Sequence, residues 1–529
     1  MSISSVSPTN QDPLSTRSLP SWVAYLIFVL GASLYLLPFM RIVLMNSNEG
    51  TLVDGAVRII HGQVFARDFF EVMGPGTFYW LASFLKLFGV TFFAVRVCLF
   101  VTSLGTGLLI YYLTRRICTS YKTLPCILLV GTIYLMQWPA ISHHLDSNFF
   151  ALISVACLVV WIDKRWNSLL LMAGFCAGFT TCILQPKGIL LLFAILVWLL
   201  VQRKRLVVPS SSLVFVAGGY FAVIGIMVAY FWSQSALSSL IYANVVWPSQ
   251  SYSAANAVPY AFGIFDEYWK HWFVAKEGFR WTYGMAAVLI TPFLFVAILP
   301  ALLSILAVVY RRKVMTPEVA LFLLCGGAFW ISEYHRKDIY HLVFGSPLLV
   351  IVCIYFLVES RNKIADFAVQ ILAITATCLA VFNLLQAATE HSVQSRVGVV
   401  AMAKDDPILS FLDSNTYPGE EIFVYPFAPM YYFLSSTANP ARYSILEYNY
   451  NTTAQFKEVI QVLDQRKVHY VLWDTNFEKK TARLVYPRCP QMPANLYLME
   501  PYLESHYNQV LDVGGFLVME RKSEEDNAP

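Results

Sequence analysis

The sequence predicts a polytopic α-helical membrane protein of about eleven transmembrane helices with a C-terminal extracytoplasmic α/β domain. Three observations lead there. The 529 residues are 57% hydrophobic and only 13% charged, with a mean hydropathy of +0.57, whereas a soluble domain carries about 25% of its residues as charge. That balance excludes an ordinary cytosolic enzyme, a disordered chain and a nucleic-acid binder. Most of the chain breaks into apolar stretches near the length that crosses about 30 Å of hydrocarbon as helix. Finally, residues 397–529 hold 28 of the 70 charged side chains. The chain therefore divides into an N-terminal tail (1–20), a membrane region (21–390) and a polar domain (397–529).

The apolar stretches run over residues 22–39, 93–113, 124–138, 149–162, 168–184, 189–201, 213–232, 286–309, 319–331, 342–357 and 365–385. Basic clusters orient them, because Lys and Arg in short loops stay cytoplasmic. Arg115, Arg116 and Lys122 follow the second stretch, Lys164 and Arg165 the fourth, and Arg203, Lys204 and Arg205 the sixth. Arg311, Arg312 and Lys313 follow the eighth, and Arg361 and Lys363 the tenth. Every even exit is thereby cytoplasmic, the tail 1–20 is cytoplasmic, and an odd number of spans leaves 397–529 outside. The first stretch lacks the basic n-region and small-x-small site of a cleaved signal peptide. The ten cysteines form no CxxC pair, so neither a disulfide framework nor a zinc site is readable.

In the polar domain, residues 421–425, 469–473 and 510–519 read as strands, and 453–465 has helical periodicity with Phe456, Val459, Ile460 and Leu463 on one face. Alternating β and α argues a layered domain. Its start, 407–420, ends in the turn composition Asn415-Thr416-Tyr417-Pro418-Gly419.

Two outer loops are long, 40–92 and 233–283, and long loops on one face are where a site is built. In the first, residues 51–61 form an amphipathic helix whose Asp54, Arg58 and His61 share a face opposite Val53, Val57 and Ile60, with Gly62 to end it. Such a helix lies in the membrane interface and turns its polar edge toward an outward-facing cavity. Alternatively, Asp54 and Arg58 are only an i, i+4 pair on a surface helix. Around it stand Glu49, Arg67, Asp68, Glu71 and the motif Gly74-Pro75-Gly76. The same outer level receives His143, His144 and Asp146, then Gln185, Pro186 and Lys187, then His335, Arg336, Lys337, Asp338 and His341. Convergence of these clusters on one face, opposite short basic inner loops, points to an outward site. The histidines with Asp146 suit a divalent metal such as zinc or manganese, although no HExxH pairing exists. The absence of GxxxxGK[ST] excludes an ATP-driven pump, and no GxSxG appears.

Residues 48–50 (NEG), 55–62 (GAVRIIHG), 67–70 (RDFF) and 74–79 (GPGTFY) resemble the first outer loop of the GT-C membrane glycosyltransferases. The resemblance is closest to the bacterial branch related to protein O-mannosyltransferases and aminoarabinose transferases. Residues 185–188 (QPKG), 336–341 (RKDIYH) and 418–425 (PGEEIFVY) fit it in position. It implies a GT-C-like fold in a bacterial inner membrane with a periplasmic or extracellular C-terminal domain. It also implies transfer of a sugar from a polyprenyl-phosphate donor to a lipid, glycan or protein acceptor on the outer face. Arg58, Lys187, Arg336 and Lys337 are then the donor-phosphate groups. His143, His144, Asp146 and His341 are substrate or metal contacts; no cofactor is fixed, and a divalent metal is compatible. In the family an acid early in the first outer loop, commonly in an Asp-Glu pair, takes the acceptor proton. Here that position reads Asn48, leaving Glu49 as the base, with Asp54 and Asp68 as alternatives. A multi-pass transporter is the alternative reading from the spans alone, and a non-catalytic homologue the one that Asn48 raises.

Overall fold

The computed structural model describes residues 21–45, 48–118, 128–129, 133–252, 257–264, 280–309, 315–448, 450–477, 482, 487–488 and 496–523. Residues 124–127 and 130–132 of the third predicted stretch lie outside these residues, as do the tail 1–20, Lys122, Arg311, Arg312, Lys313, Cys489 and residues 265–279. In chain order the membrane region begins with α1 (Ser21–Leu36), then α2 (Asn48–Ile60) and α3 (Pro75–Phe88) in the first long loop. It continues through α4 (Phe92–Ile117), α5 (His143–Lys164), α6 (Asn167–Ile183), α7 (Gln185–Val201) and α8 (Ser211–Ser233). It ends with α9 (Arg280–Val309), α10 (Pro317–Ser332), α11 (Ile339–Gly345), α12 (Pro347–Glu359) and α13 (Lys363–Ala387).

Among the described residues six helices are long and apolar enough to cross a membrane: α1 with the turn that extends it, α4, α5, α8, α9 and α13. The predicted fifth, sixth and ninth stretches are α6, α7 and α10, apolar helices of 17, 17 and 16 residues. At 1.5 Å per residue they reach only about 25 Å. The tenth is not one helix, because α11 and α12 meet at 70°. Pro347 accounts for the break: it has no N–H to continue the ladder and disfavours helical geometry in the residue before it. Close backbone packing holds α6 on α8. A Cβ on Gly174 would stand 2.0 Å from the Val216 carbonyl oxygen, and one on Gly219 would stand 2.1 Å from that of Leu171, the small-residue contact that lets membrane helices approach.

After α13 a hairpin, β1 (His391–Ser395) and β2 (Gly398–Met402), leads out of the bundle across the expected 390–397 boundary. Then come α14 (Pro407–Asn415), β3 (Ile422–Tyr425), α15 (Met430–Leu434), α16 (Thr453–Gln465), β4 (Tyr470–Asp474), α17 (Met499–His506), β5 (Tyr507–Val513) and β6 (Phe516–Arg521). The sheet order is β3-β4-β6-β5, with β3 and β4 parallel across the α16 crossover and the other pairs antiparallel. α16 begins with a capping box between Thr452 and Gln455 and buries Phe456, Val459 and Leu463. The single strand expected over 510–519 is instead a hairpin. Gly514 and Gly515 both have positive φ (63° and 91°), which only a turn requires.

The C-terminal region does not stand apart. One apolar core runs without interruption from Leu52, Phe65, Phe69 and Phe78 of the first loop to Met430, Tyr432 and Leu463. Backbone bonds join the same parts: Val43 N–H to Ala401 (3.0 Å), Phe70 N–H to Arg442 (2.8 Å) and Phe92 N–H to Val397 (2.9 Å).

Candidate functional site

At one end of the bundle the heads of α5 and α7 meet the turn between α10 and α11. α5 starts at His143 because the extended Ser142 accepts the His144 N–H on its hydroxyl. α7 tolerates Pro186 because a first-turn N–H has no partner in the helix anyway. α11 is capped by Asp338, which accepts the His341 N–H at 3.0 Å. The Gly-Pro-Gly motif brings the first loop to this end: a Cβ on Gly74 would lie 2.2 Å from the Cys182 carbonyl oxygen, at the end of α6. Thr77, in the next turn, hydrogen-bonds Asp146.

Glu333, the residue after α10, is the centre. It is fully buried, with Oε1 2.5 Å from Lys187 Nζ and Oε2 2.8 Å from His144 Nδ1. Lys187 also donates to Asn148 Oδ1 (2.8 Å) and Ser147 Oγ (3.2 Å), so all three of its N–H groups are engaged. A buried ammonium is costly unless so compensated. Asp338 bridges His341 Nδ1 (2.6 Å) and Arg336 Nε (2.5 Å). Burial opposes its charge, but His341 and Arg336 outweigh that and hold its carboxyl below the usual range. The His144 ring lies 4.0 Å from His143 and 4.7 Å from His341. Lys337 places its ammonium over the Tyr334 ring, 4.7 Å from the centroid. Asp146 meets the Thr77 hydroxyl and, among the described residues, no cation.

The sequence-derived groups thus separate. His143, His144, Lys187, Arg336 and His341 come together, with Lys337 on the same turn, while Asp146, on the same first turn of α5, meets Thr77 of the first loop. The expected polar edge of α2 does not face an outward cavity. Arg58 is buried, bonded to Asp54 (3.0 Å) and to the carbonyls of Asn439 (3.2 Å) and Ala441 (2.9 Å), while Asp54 also accepts from Ser444 (3.0 Å). That edge is a seam against the C-terminal region, where apolar packing of the opposite face drives it. Asp68 is paired with the exposed Arg67 and accepts the Val64 N–H (2.6 Å), and Arg67 holds its carboxyl below the usual range. Glu49 is not at a half-hydrated interface: it is fully buried, with both oxygens on the Arg96 guanidinium and one also on the Ile141 N–H (2.8 Å). Arg96 further donates to the Ile42 carbonyl (2.6 Å). Glu71, also in the seam, is pushed up to about 8, chiefly by burial.

Sequence reasoning missed Glu333 and Arg96. Arg96 was readable as a charge within an apolar span; Glu333 had only its place at the end of one.

The model described as dolichyl-phosphate-mannose-protein mannosyltransferase matches residues 73–232, which hold Thr77, Asp146 and Lys187. No curated relative matches in sequence. In structure the chain is similar to ArnT from Cupriavidus metallidurans bound to undecaprenyl phosphate, with a TM-score of 0.56 over 96% of this chain and 99% of that one. At 10% identity this similarity concerns the fold. The apo state of that ArnT gives a TM-score of 0.49 at 10% identity, covering 94% of this chain and 98% of that one. The arabinosyltransferase EmbB from Mycobacterium smegmatis gives 0.35 at 13% identity, covering 73% and 42%. Over residues 73–232 the sequence is thus similar to the dolichyl-phosphate-mannose-protein mannosyltransferase family, and the fold of this multi-pass membrane protein is similar to that of ArnT.

Proposed function

We propose that the chain transfers a sugar from a polyprenyl-phosphate donor to a lipid, glycan or protein acceptor at the outer face of a bacterial inner membrane. In this reading about eleven spans cross the bilayer, the N-terminus is cytoplasmic, and residues 397–529 stand outside. The observation that carries the chemistry is Asp146. Glu49, Asp54, Asp68, Glu333 and Asp338 are each held by a cation, whereas the side chain of Asp146, buried at the head of α5, meets among the described residues only the Thr77 hydroxyl.

Asp146 takes the proton of the acceptor hydroxyl as that oxygen bonds to the anomeric carbon. The bond from that carbon to the phosphate oxygen breaks, and its electron pair leaves on the polyprenyl phosphate. Arg336 and Lys337, on the half-buried turn after Glu333, neutralise the departing phosphate. Lys187, with all its donors engaged, positions Glu333 and His144 beneath them. Glu49 and Arg58 are struts rather than reacting groups, so Asn48 removes nothing that this step needs. The family segment over 73–232 favours this reading over a permease.

The test is transfer of radiolabelled sugar from polyprenyl-phosphate donors by protein in proteoliposomes, with lipid analysis of a deletion strain for an accumulated donor. Asp146→Asn in a folded protein should lose about a hundredfold to ten-thousandfold in rate. Full turnover by that variant would move the base elsewhere. No transfer by the parent chain, with no donor accumulating in the deletion strain, would support a non-catalytic homologue instead.

A further inference from the structure

The cluster holds a second arrangement. One ligand atom each from His144, Glu333 and His341 lies within 4.8 Å of the others. They come from three different segments, the head of α5, the turn after α10 and the first turn of α11, so no sequence motif announces them. Two of them, His341 and Glu333, are also braced from behind. Asp338 Oδ1 stands 2.6 Å from His341 Nδ1, which leaves Nε2 of that ring for a ligand. A carboxylate behind a histidine is the arrangement that orients metal-bound imidazoles and raises their basicity. Lys187 at 2.5 Å fixes one Glu333 oxygen and leaves the other toward His144. In an ion-free cluster His144 Nδ1 meets that oxygen directly, a bond an entering cation would replace.

We propose that His144, Glu333 and His341 form a binding site for a single zinc-class divalent cation with one coordination position left open. Two imidazoles and one carboxylate make the ligand set of an open zinc site. Bonds of about 2.0–2.1 Å in a tetrahedron require donor atoms about 3.3–3.4 Å apart, so the three side chains close in by small rotamer adjustments. The ion's double charge is met by Glu333 and, one shell out, by Asp338. Lys187 opposes it, and an anionic oxygen in the open position restores the balance. The inference rests on the sugar-transfer reading only for what fills that position; the cation site itself is read by metal content, independently of activity.

The experiment uses the full chain, purified in detergent, stripped with chelator and re-equilibrated with Zn2+. Metal is counted by mass spectrometry, and Co2+ replaces Zn2+ for visible absorption. The expected result is one bound ion per chain with a tetrahedral Co2+ spectrum. His341→Ala leaves the Lys187 to Glu333 pair intact and should abolish stoichiometric binding, and Asp338→Asn should weaken it by about 10–100-fold. His469→Ala, which changes an exposed histidine beside Glu520, should leave it unchanged. Absence of stoichiometric metal in the parent chain, or retention of the ion in folded His341→Ala and His144→Ala proteins, would overturn the proposal. Should sugar transfer fail while one ion still binds, the function falls and the site stands.

Discussion

Replacing Arg96 with Met tests whether Glu49 is a strut. In the native chain Glu49 has no exposure and accepts both guanidinium N–H bonds, while Arg96 also serves the Ile42 carbonyl and Glu49 the Ile141 N–H. Arg96→Met leaves an uncompensated buried carboxylate, which costs about 3–5 kcal/mol. Glu49→Leu strands the guanidinium at a similar cost. The double variant holds no buried charge; what remains is one carbonyl and one N–H without partners, about 1–3 kcal/mol each. The two single costs therefore sum to about 6–10 kcal/mol, against about 2–6 for the double, a coupling near 4 kcal/mol. Unfolding in detergent, followed by tryptophan fluorescence, reads all four corners of the cycle. Additive single effects, or a cost below about 1 kcal/mol for Arg96→Met, would refute the argument. Activity gives a second reading. A neutral Glu49→Gln/Arg96→Gln pair should restore transfer in proportion to folded protein, whereas a catalytic Glu49 would leave the rate down at least about a hundredfold.

Other outcomes follow from the same contacts. Arg58→Ala removes charge-assisted bonds to two carbonyls and to Asp54, each worth about 1.5–3 kcal/mol; limited proteolysis should cut within residues 397–529 sooner in the variant, and equal protection would dissolve the seam. Glu71 has a folded pKa raised to about 8, so the folded state binds more protons than the unfolded one between its ordinary value and 8, and this residue's contribution weakens as pH rises through that window. Glu71→Gln should therefore be more stable than the parent at pH 8 and lose the advantage toward pH 4, as unfolding midpoints across pH would show. Gly188→Ala drives a Cβ to 2.1 Å from Thr181 Oγ1 and 2.3 Å from the Thr181 nitrogen. That should displace the head of α7 and lower transfer more than Gly218→Ala, where nothing stands within 4 Å.

What the sequence made legible and what it hid have one physical division. Helical spans announce themselves because each satisfies its own backbone and must be apolar along its length, so the stretches that became α8 and α13 were found within two residues at each end, whereas α5 and α9 begin six residues before the apolar stretches that marked them. The α16 helix was read from end to end, because a one-sided apolar stripe is local. The hairpin of β5 and β6 was missed, since its strands run together in composition and only the backbone angles at Gly514 and Gly515 separate them. At the site, residue types were visible and pairings were not. Asp54 and Arg58 were seen as partners at i, i+4, but the carbonyls of Asn439 and Ala441 that bury them lie about 380 residues away. Pairing decides chemistry: a carboxylate already holding a guanidinium has spent its capacity to take a proton, and one holding only a hydroxyl has not. Hence Glu49, first by position, becomes a strut. Asp146, one polar residue among many in its connection, becomes the candidate base, and Glu333, at the end of a short apolar helix, becomes the group around which the histidines assemble.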